Sequence, residues 1–326
     1  MRIFKLALFL ASAMLASQGR SFDLTPLALK AAAGLLPEAQ THYKPHKSAA
    51  QQADVRLPPA TGNFTECREN FANGEPPKVP GGHSVRALCF NGFAVLHSAA
   101  TKTPLYSAEA LTRERVQAAR AESRTDVFFE DARLPARERA TLDDYRGSTF
   151  DRGHTSPAGD MANESAMAQS FSLANIVPQA PENNRFAWAD IEKATRKYVN
   201  RAKGSVYVIT GPVFEPKACP FVKAAAKQLQ HAGIDVPESP ARIVAEATHK
   251  AGFRAPYRYD AQACTIGAGV AVPSHLYKLV YDPSTNRAWA HWLENTDWAR
   301  VSAPISYDEL VRRTGIDFLP GVRPQN

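Results

Sequence analysis

Over residues 184–199 the apolar side chains return every three or four positions, so Trp188, Ile191, Thr195, Tyr198 and Val199 share one face of a predicted helix. Glu192 and Arg196, four apart, run along the edge of that stripe, and Asn184 projects to the buried side at the helix start. Elsewhere the period is two. Residues 86–90 and 93–96 flank Asn91-Gly92, the dipeptide that takes the two positive φ angles of a type I′ hairpin, and residues 104–108 add a third strand. Residues 205–210 predict a strand stopped by Gly211-Pro212. Residues 270–282 and 287–294 predict a second hairpin. Residues 113–124 read as a charged helix with a solvated basic face, and 161–173 as a broken helix. Ser306 with Glu309 forms a capping box, and Gly315 closes the helix it opens. The sum is an α+β fold, a mainly antiparallel sheet with packed helices.

The flanking segments set the organisation. Residues 1–19 have the basic start, short apolar core and small-residue end of a secretory signal. The expected location is therefore secreted or periplasmic, with no membrane contact after cleavage. Residues 20–61 read as a short helix, opened by Thr25-Pro26 and ended by Pro37, and a linker arm. His42 and His46 have the spacing of a helical metal pair, but Pro45 disfavours that helix. The rest, 62–326, forms one domain carrying a long excursion at about 215–265 with a helix over 221–231. Local pairing of Cys67 with Cys89 and of Cys219 with Cys264 is the simplest of three connectivities. A hydrophobic content of 44% supports a real core, and a net charge of +7 favours a polyanionic partner. Neither a His-Glu-x-x-His nor a Gly-x-Ser-x-Gly pattern is present, which argues against a zinc protease or a serine esterase.

The densest chemistry lies at Phe150-Asp151-Arg152-Gly153-His154, followed by Asn175-Ile176-Val177-Pro178-Gln179 and Asn183-Asn184. A histidine titrates near neutrality and can take a proton from water, and a guanidinium or a metal can offset the charge that grows on an attacked phosphodiester. Gly153 lets the backbone bend, which sets His154 at a turn with one side open to solvent.

Together with Tyr145-Arg146-Gly147-Ser148 upstream and Ala187-Trp188 and Glu192 downstream, these residues resemble the non-specific DNA/RNA endonucleases of the ββα-metal (His-Me finger) type, over roughly residues 86–320. The resemblance implies a catalytic set of His154, Arg152, Glu192 and Arg196. His154 is the general base, Arg152 steadies transition-state charge, Glu192 orders metal-bound water and Arg196 contacts phosphate. It implies Asn184 as the one direct protein ligand of Mg²⁺, for which Mn²⁺ can substitute. Its implied substrates are DNA and RNA, cut with little sequence preference to leave 5′-phosphate ends. A homodimer is compatible with it. Asp151 and Asn175 read as scaffold. Arg185-Phe186 depart from the family pattern and predict a narrower or more apolar groove. The competing readings are an exported basic nucleic-acid-binding protein with an inactive site, and a hydrolase of another class.

Overall fold

The computed structural model describes residues 57, 62–81, 84–215 and 218–325. The signal-like stretch, the helix expected after Thr25, His42, His46 and the linker apart from Leu57 lie outside the described residues. Strands β1 (Val85–Phe90), β2 (Phe93–Ser98) and β3 (Thr103–Leu111) open the fold; β4 (Asp151–His154) and β5 (Ile176–Gln179) form a separate two-stranded ribbon. Then come β6 (Val206–Val213), the short β7 (Tyr259–Asp260), β8 (Thr265–Ile266) and β9 (Val270–Ala271), and finally β10 (His275–Asp282), β11 (Arg287–Glu294) and β12 (Ile305–Ser306). The main sheet has seven strands in the order β1-β2-β3-β6-β10-β11-β12, every pair antiparallel. The helices are α1 (Arg113–Ala119), α2 (Leu142–Tyr145), α3 (Glu164–Ser170), α4 (Ala189–Val199), α5 (Pro220–His231), α6 (Pro240–Ala251) and α7 (Tyr307–Thr314). The expected α+β class is the one observed.

The period of two along each strand divides the sheet into two faces. On β10, Tyr277, Leu279 and Tyr281 enter a core with Phe71, Tyr106 and Phe318, while Leu276 and Val280 face the side covered by α1 and α4. Burying one such aliphatic side chain contributes about 1.5–3 kcal/mol. The apolar stripe of α4 lies on that second side: Trp188, Ile191, Thr195 and Val199 are all buried. The two expected cysteine pairs are disulfide-bonded.

Several expectations needed correction. The β1–β2 hairpin has the expected two-residue loop, but Gly92 alone takes a positive φ, of 92°. Asn91 is held instead by α3, its backbone N–H donating to Gln169 Oε1 at 2.6 Å and its Nδ2 to Ser165 Oγ at 2.9 Å. Helix α1 ends at Ala119, and Arg115 turns inward to donate to Ala110 O (2.9 Å) and Asp160 O (3.2 Å) rather than to water. Only half of the capping box forms, because Ser306 Oγ accepts from Glu309 N–H while the Glu309 carboxylate takes Arg312 and Arg313. The excursion carries a second helix, α6, that the reading of the sequence left out.

Strand β6 does not stop at Gly211-Pro212 but runs through to Val213. Pro212 lies beyond the β3 pairing, which ends at Thr210, so its missing N–H breaks no ladder bond on that side. Gly211 is needed there because the Tyr277 side chain crosses it to donate from its hydroxyl to Leu105 O at 3.3 Å. A Cβ on Gly211 would meet that hydroxyl and, at 2.5 Å, the Leu105 carbonyl oxygen. Gly211→Ala should therefore cost about 1–3 kcal/mol through overpacking. A urea unfolding midpoint equal to that of the parent would refute this packing account.

Candidate active site

Strand β4 supplies the Asp-Arg-Gly-His stretch, and it pairs with β5 so that Arg152 faces Pro178, Gly153 faces Val177 and His154 faces Ile176. Gly153 earns its place by contact and not by bending. A Cβ there would drive into the Gln179 side chain, reaching its Cβ at 2.7 Å. Gln179 is fully buried and donates from Nε2 to Asn183 Oδ1 at 2.7 Å, which ties the ribbon to the start of the following helix. Residues Asn183–Trp188 form a π-helical turn that leads into α4. Such turns insert one extra residue and re-aim the side chains they carry. No apolar periodicity reveals that feature, and the sequence reading missed it.

Arg152 and Asn184 meet at one cleft of ≈ 450 Å³, whose other walls include Arg124, Phe128, Phe150 and Arg185. Asp151 anchors the arrangement. Its carboxylate accepts from Arg185 Nη2 (2.7 Å) and Nε (2.8 Å) and from Asn184 Nδ2 (3.0 Å). With its nitrogen committed to Asp151, the Asn184 carboxamide has Oδ1 left to offer a cation. Asp151 adds a second hard oxygen donor nearby, a set suited to a strongly hydrated divalent ion that keeps most of its waters. Among the described residues no group of three His, Cys, Asp or Glu side chains could hold a metal by itself. Arg152 lies over the Phe128 ring at 4.9 Å, and its buried Nε finds no partner among the described residues. Arg185 lines and braces the cleft, whereas Phe186 is 60% exposed and is not part of its wall. The expected apolar narrowing is therefore absent from this cleft.

His154 is not on that wall, and it is not open to solvent as expected. It is 9% exposed, packed edge-on to Phe171 at 5.0 Å and against Phe128, a cleft residue, at 5.5 Å. Its Nε2 is buried without a partner among the described residues. Burial, reinforced by the Arg124 charge, lowers its pKa to about 3. Glu192 and Arg196 also lie off the cleft wall. Arg196 pairs with Asp160 at 2.9 Å rather than with Glu192. Burial raises the Glu192 pKa to about 7, with Lys278 opposing the rise and Asp160 adding to it. The structure thus gathers Arg152 and Asn184 on one cleft, packs His154 against the cleft residue Phe128, and sets Glu192 and Arg196 about two and three turns beyond Asn184 on the helix. Arg124, Phe128 and Arg185 are the cleft residues that sequence reasoning missed or misassigned. Their signal was only the basic and aromatic character of two irregular segments.

A neutral, buried His154 makes stability depend on pH. Its folded pKa near 3 lies below the ordinary value of 6.5, so the unfolded chain takes up the proton first as pH falls. The contribution is full above about pH 6.5 and is lost progressively toward pH 3. In His154→Phe, about 1–2 kcal/mol of the stability that the parent loses between pH 6.5 and pH 5 should not be lost. Equal losses in the two proteins, followed by urea unfolding at each pH, would show that the imidazole is not held neutral.

Comparison with known proteins identifies the family and the fold. A nuclease of Schizosaccharomyces pombe named "Nuclease 1, mitochondrial" is 36% identical over 129 residues, covering 39% of this chain and 40% of that protein. "Endonuclease G, mitochondrial" of Bos taurus is 33% identical over 207 residues, covering 59% of this chain and 67% of that protein. The chain thus spans about two-fifths of the length of the first relative and two-thirds of the second. The fold is shared with EndoG as solved in its complex with EndoGI, with a TM-score of 0.52 at 23% identity over 73% of this chain and 86% of that one. The expected secreted or periplasmic location is overturned here, since these relatives bear mitochondrial names. Residues 72–325 match the family described as DNA/RNA non-specific endonuclease, and the chain belongs to that family.

Proposed function

We propose that this protein is a metal-dependent nuclease that hydrolyses phosphodiester bonds of DNA and RNA, with Mg²⁺ as its metal and Mn²⁺ as a substitute. The observation that carries the reading is a cleft lined by three guanidinium groups, from Arg124, Arg152 and Arg185, with the carboxamide of Asn184 and one carboxylate, Asp151. Such a cleft attracts a phosphate backbone, and contacts to phosphate carry no base information. A bound Mg²⁺ would neutralise a non-bridging oxygen and lower the pKa of its waters.

The roles of the chain's own residues follow from their surroundings. Arg152, free at Nε and backed by Phe128, aims fixed positive charge at the phosphorane-like transition state. Asn184, oriented by Asp151, presents Oδ1 to the metal. His154, whose Nε2 has no partner among the described residues, takes the proton of the attacking water, and the neutral imidazole is the form that can accept it. Glu192 in its ionised form orders water at the metal, and Arg196, fixed by Asp160, supplies a further cation. The products are 5′-phosphate and 3′-hydroxyl ends. The burial of His154 favours one rival, a protein that binds nucleic acid on the same basic cleft without cutting it.

Incubation of the purified protein with circular DNA and with RNA separates the two. Nicking that needs Mg²⁺ and stops with EDTA supports the nuclease, whereas a mobility shift without nicking supports the binder. His154→Ala should fold and bind while turnover drops about 10²- to 10⁴-fold. Near-parental cleavage by that folded variant would remove the base assignment. Glu192 must be ionised to act, and its pKa lies near 7. The acid limb of kcat/KM for the parent should then fall near pH 7, and the residual activity of Glu192→Gln should be flat from pH 6 to 8. A limb that persists in Glu192→Gln assigns it to another group.

A further inference from the structure

A second cleft, of ≈ 470 Å³, opens on the other side of Phe150, which lines both it and the cleft of Arg152 and Asn184. Its walls combine the entry to β4 with the excursion between β6 and β10: Phe221 from α5, Phe253 and Arg254 after α6, and Thr296 and Trp298 after β11. The excursion is braced against that entry. Tyr257 N–H donates to Gly147 O at 2.8 Å, Ala268 N–H donates to Asp144 Oδ1 at 2.6 Å, and Arg258 pairs with Asp143 at 2.8 Å. The Cys219–Cys264 disulfide closes its base. The second cleft is therefore a built, fixed surface continuous with the first.

Its chemistry differs from that of its neighbour. The phosphate-facing cleft is lined by three guanidinium groups, whereas this one is lined by aromatic rings with a single guanidinium, Arg254. Lys227 Nζ stands 4.2 Å from the centre of the Trp298 ring and adds positive charge at the margin. The polar groups in the wall are mostly committed. Asn295 donates to Pro178 O and Pro273 O and accepts from Ala180 N–H, and Asp297 Oδ1 accepts from Glu182 N–H. Thr296 is the buried group left over: it is 2% exposed, and its Oγ1 has no hydrogen-bond partner among the described residues. A buried hydroxyl left unpaired costs free energy that a ligand edge would recover.

We propose that this cleft is a nucleobase subsite, which takes one unstacked base of the strand whose phosphate occupies the neighbouring cleft. The inference rests on the nuclease reading. The base lies among the aromatic side chains of Phe150, Phe253 and Trp298, and one heteroatom of its edge pairs with the Thr296 hydroxyl. Stacking on aromatic rings accepts every base, because each has a π face. The volume falls within the range of small-ligand sites. A duplex keeps its bases stacked and paired, so the subsite favours single-stranded segments over duplex ones.

The test compares cleavage of a single-stranded oligothymidylate with that of an equal-length oligomer of tetrahydrofuran abasic nucleotides, which keeps the phosphates and lacks the bases. The parent should cleave the base-bearing strand with a kcat/KM about 5- to 150-fold higher. Trp298→Ala should shrink that ratio at least several-fold by lowering the rate on oligothymidylate. Thr296→Val, a near-isosteric change, should shrink it by a smaller factor and guards against misfolding of the Trp298 variant. Equal kcat/KM on the two oligomers for the parent overturns the subsite and leaves the nuclease reading standing. So does an undiminished ratio in both variants. Absence of cleavage of either oligomer by the parent, with Mg²⁺ present, defeats the nuclease reading itself and the subsite with it.

Discussion

The carboxamide of Asn175 is the fastening on which the site depends. It is fully buried, at the turn between α3 and β5, and its hydrogen-bonding positions are all filled. Oδ1 accepts from Thr155 Oγ1 (2.7 Å) and Ser156 N–H (2.9 Å), and Nδ2 donates to Ser156 O (2.8 Å) and Ser170 O (2.9 Å). The segment leaving β4 is thereby bonded to the segment entering β5 and to the end of α3. A two-stranded ribbon of four residues each is marginal by itself. With the His154–Ile176 end locked through one side chain, Arg152 and His154 are fixed on a ribbon too short to hold its own shape. A buried amide with satisfied bonds also specifies a single arrangement, since any slip would strand several polar groups at once.

Beneath α4 the main sheet carries a layer of charge that ordinary core packing would exclude. Lys278 is 1% exposed, donates from Nζ to Thr210 Oγ1 at 2.6 Å and lies 5.5 Å from the centre of the Trp188 ring. Glu109, also 1% exposed, has Arg115 Nη2 at 3.5 Å, and burial with the nearby Asp160 pushes its pKa up to about 8. Arg196 and Asp160 close the group on the site side. The layer is costly to desolvate, and its charges offset one another only in part. Its consequence reaches Glu192, whose proton affinity is set by burial first and then by Lys278 and Asp160. The acid expected to act at the metal is therefore tuned by groups that never line the cleft.

How much of this the residues disclosed in advance follows from the range of each interaction. The strand pattern, the α4 stripe and the disulfide pairs were legible because period and proximity are local properties. The Asp-Arg-Gly-His stretch was legible because it is contiguous. The burial of His154 against Phe128 was not, since the two are separated by an irregular segment whose path no propensity dictates. The π-helical turn at Asn184 was hidden for a related reason: an extra residue in one turn leaves the downstream apolar spacing intact. Gly153 was correctly singled out for the wrong cause, because the Gln179 side chain that crowds it belongs to the partner strand. Strand β6 ran past Gly211-Pro212 because its neighbour β3 had already ended its pairing, a fact of sheet topology.

The same distinction bears on specificity. On the proposed reading, a cleft lined by Arg124, Arg152 and Arg185 would hold its substrate by charge, which every nucleic acid shares. The neighbouring surface, reached across the ring of Phe150, offers π faces and the buried, unpaired hydroxyl of Thr296. Contacts to phosphate and to π faces carry no base information, so the discrimination this reading predicts is between states of the strand, because a base must leave its stack before a ring can receive it. Indifference to sequence and sensitivity to strandedness would in this way be two results of one surface chemistry.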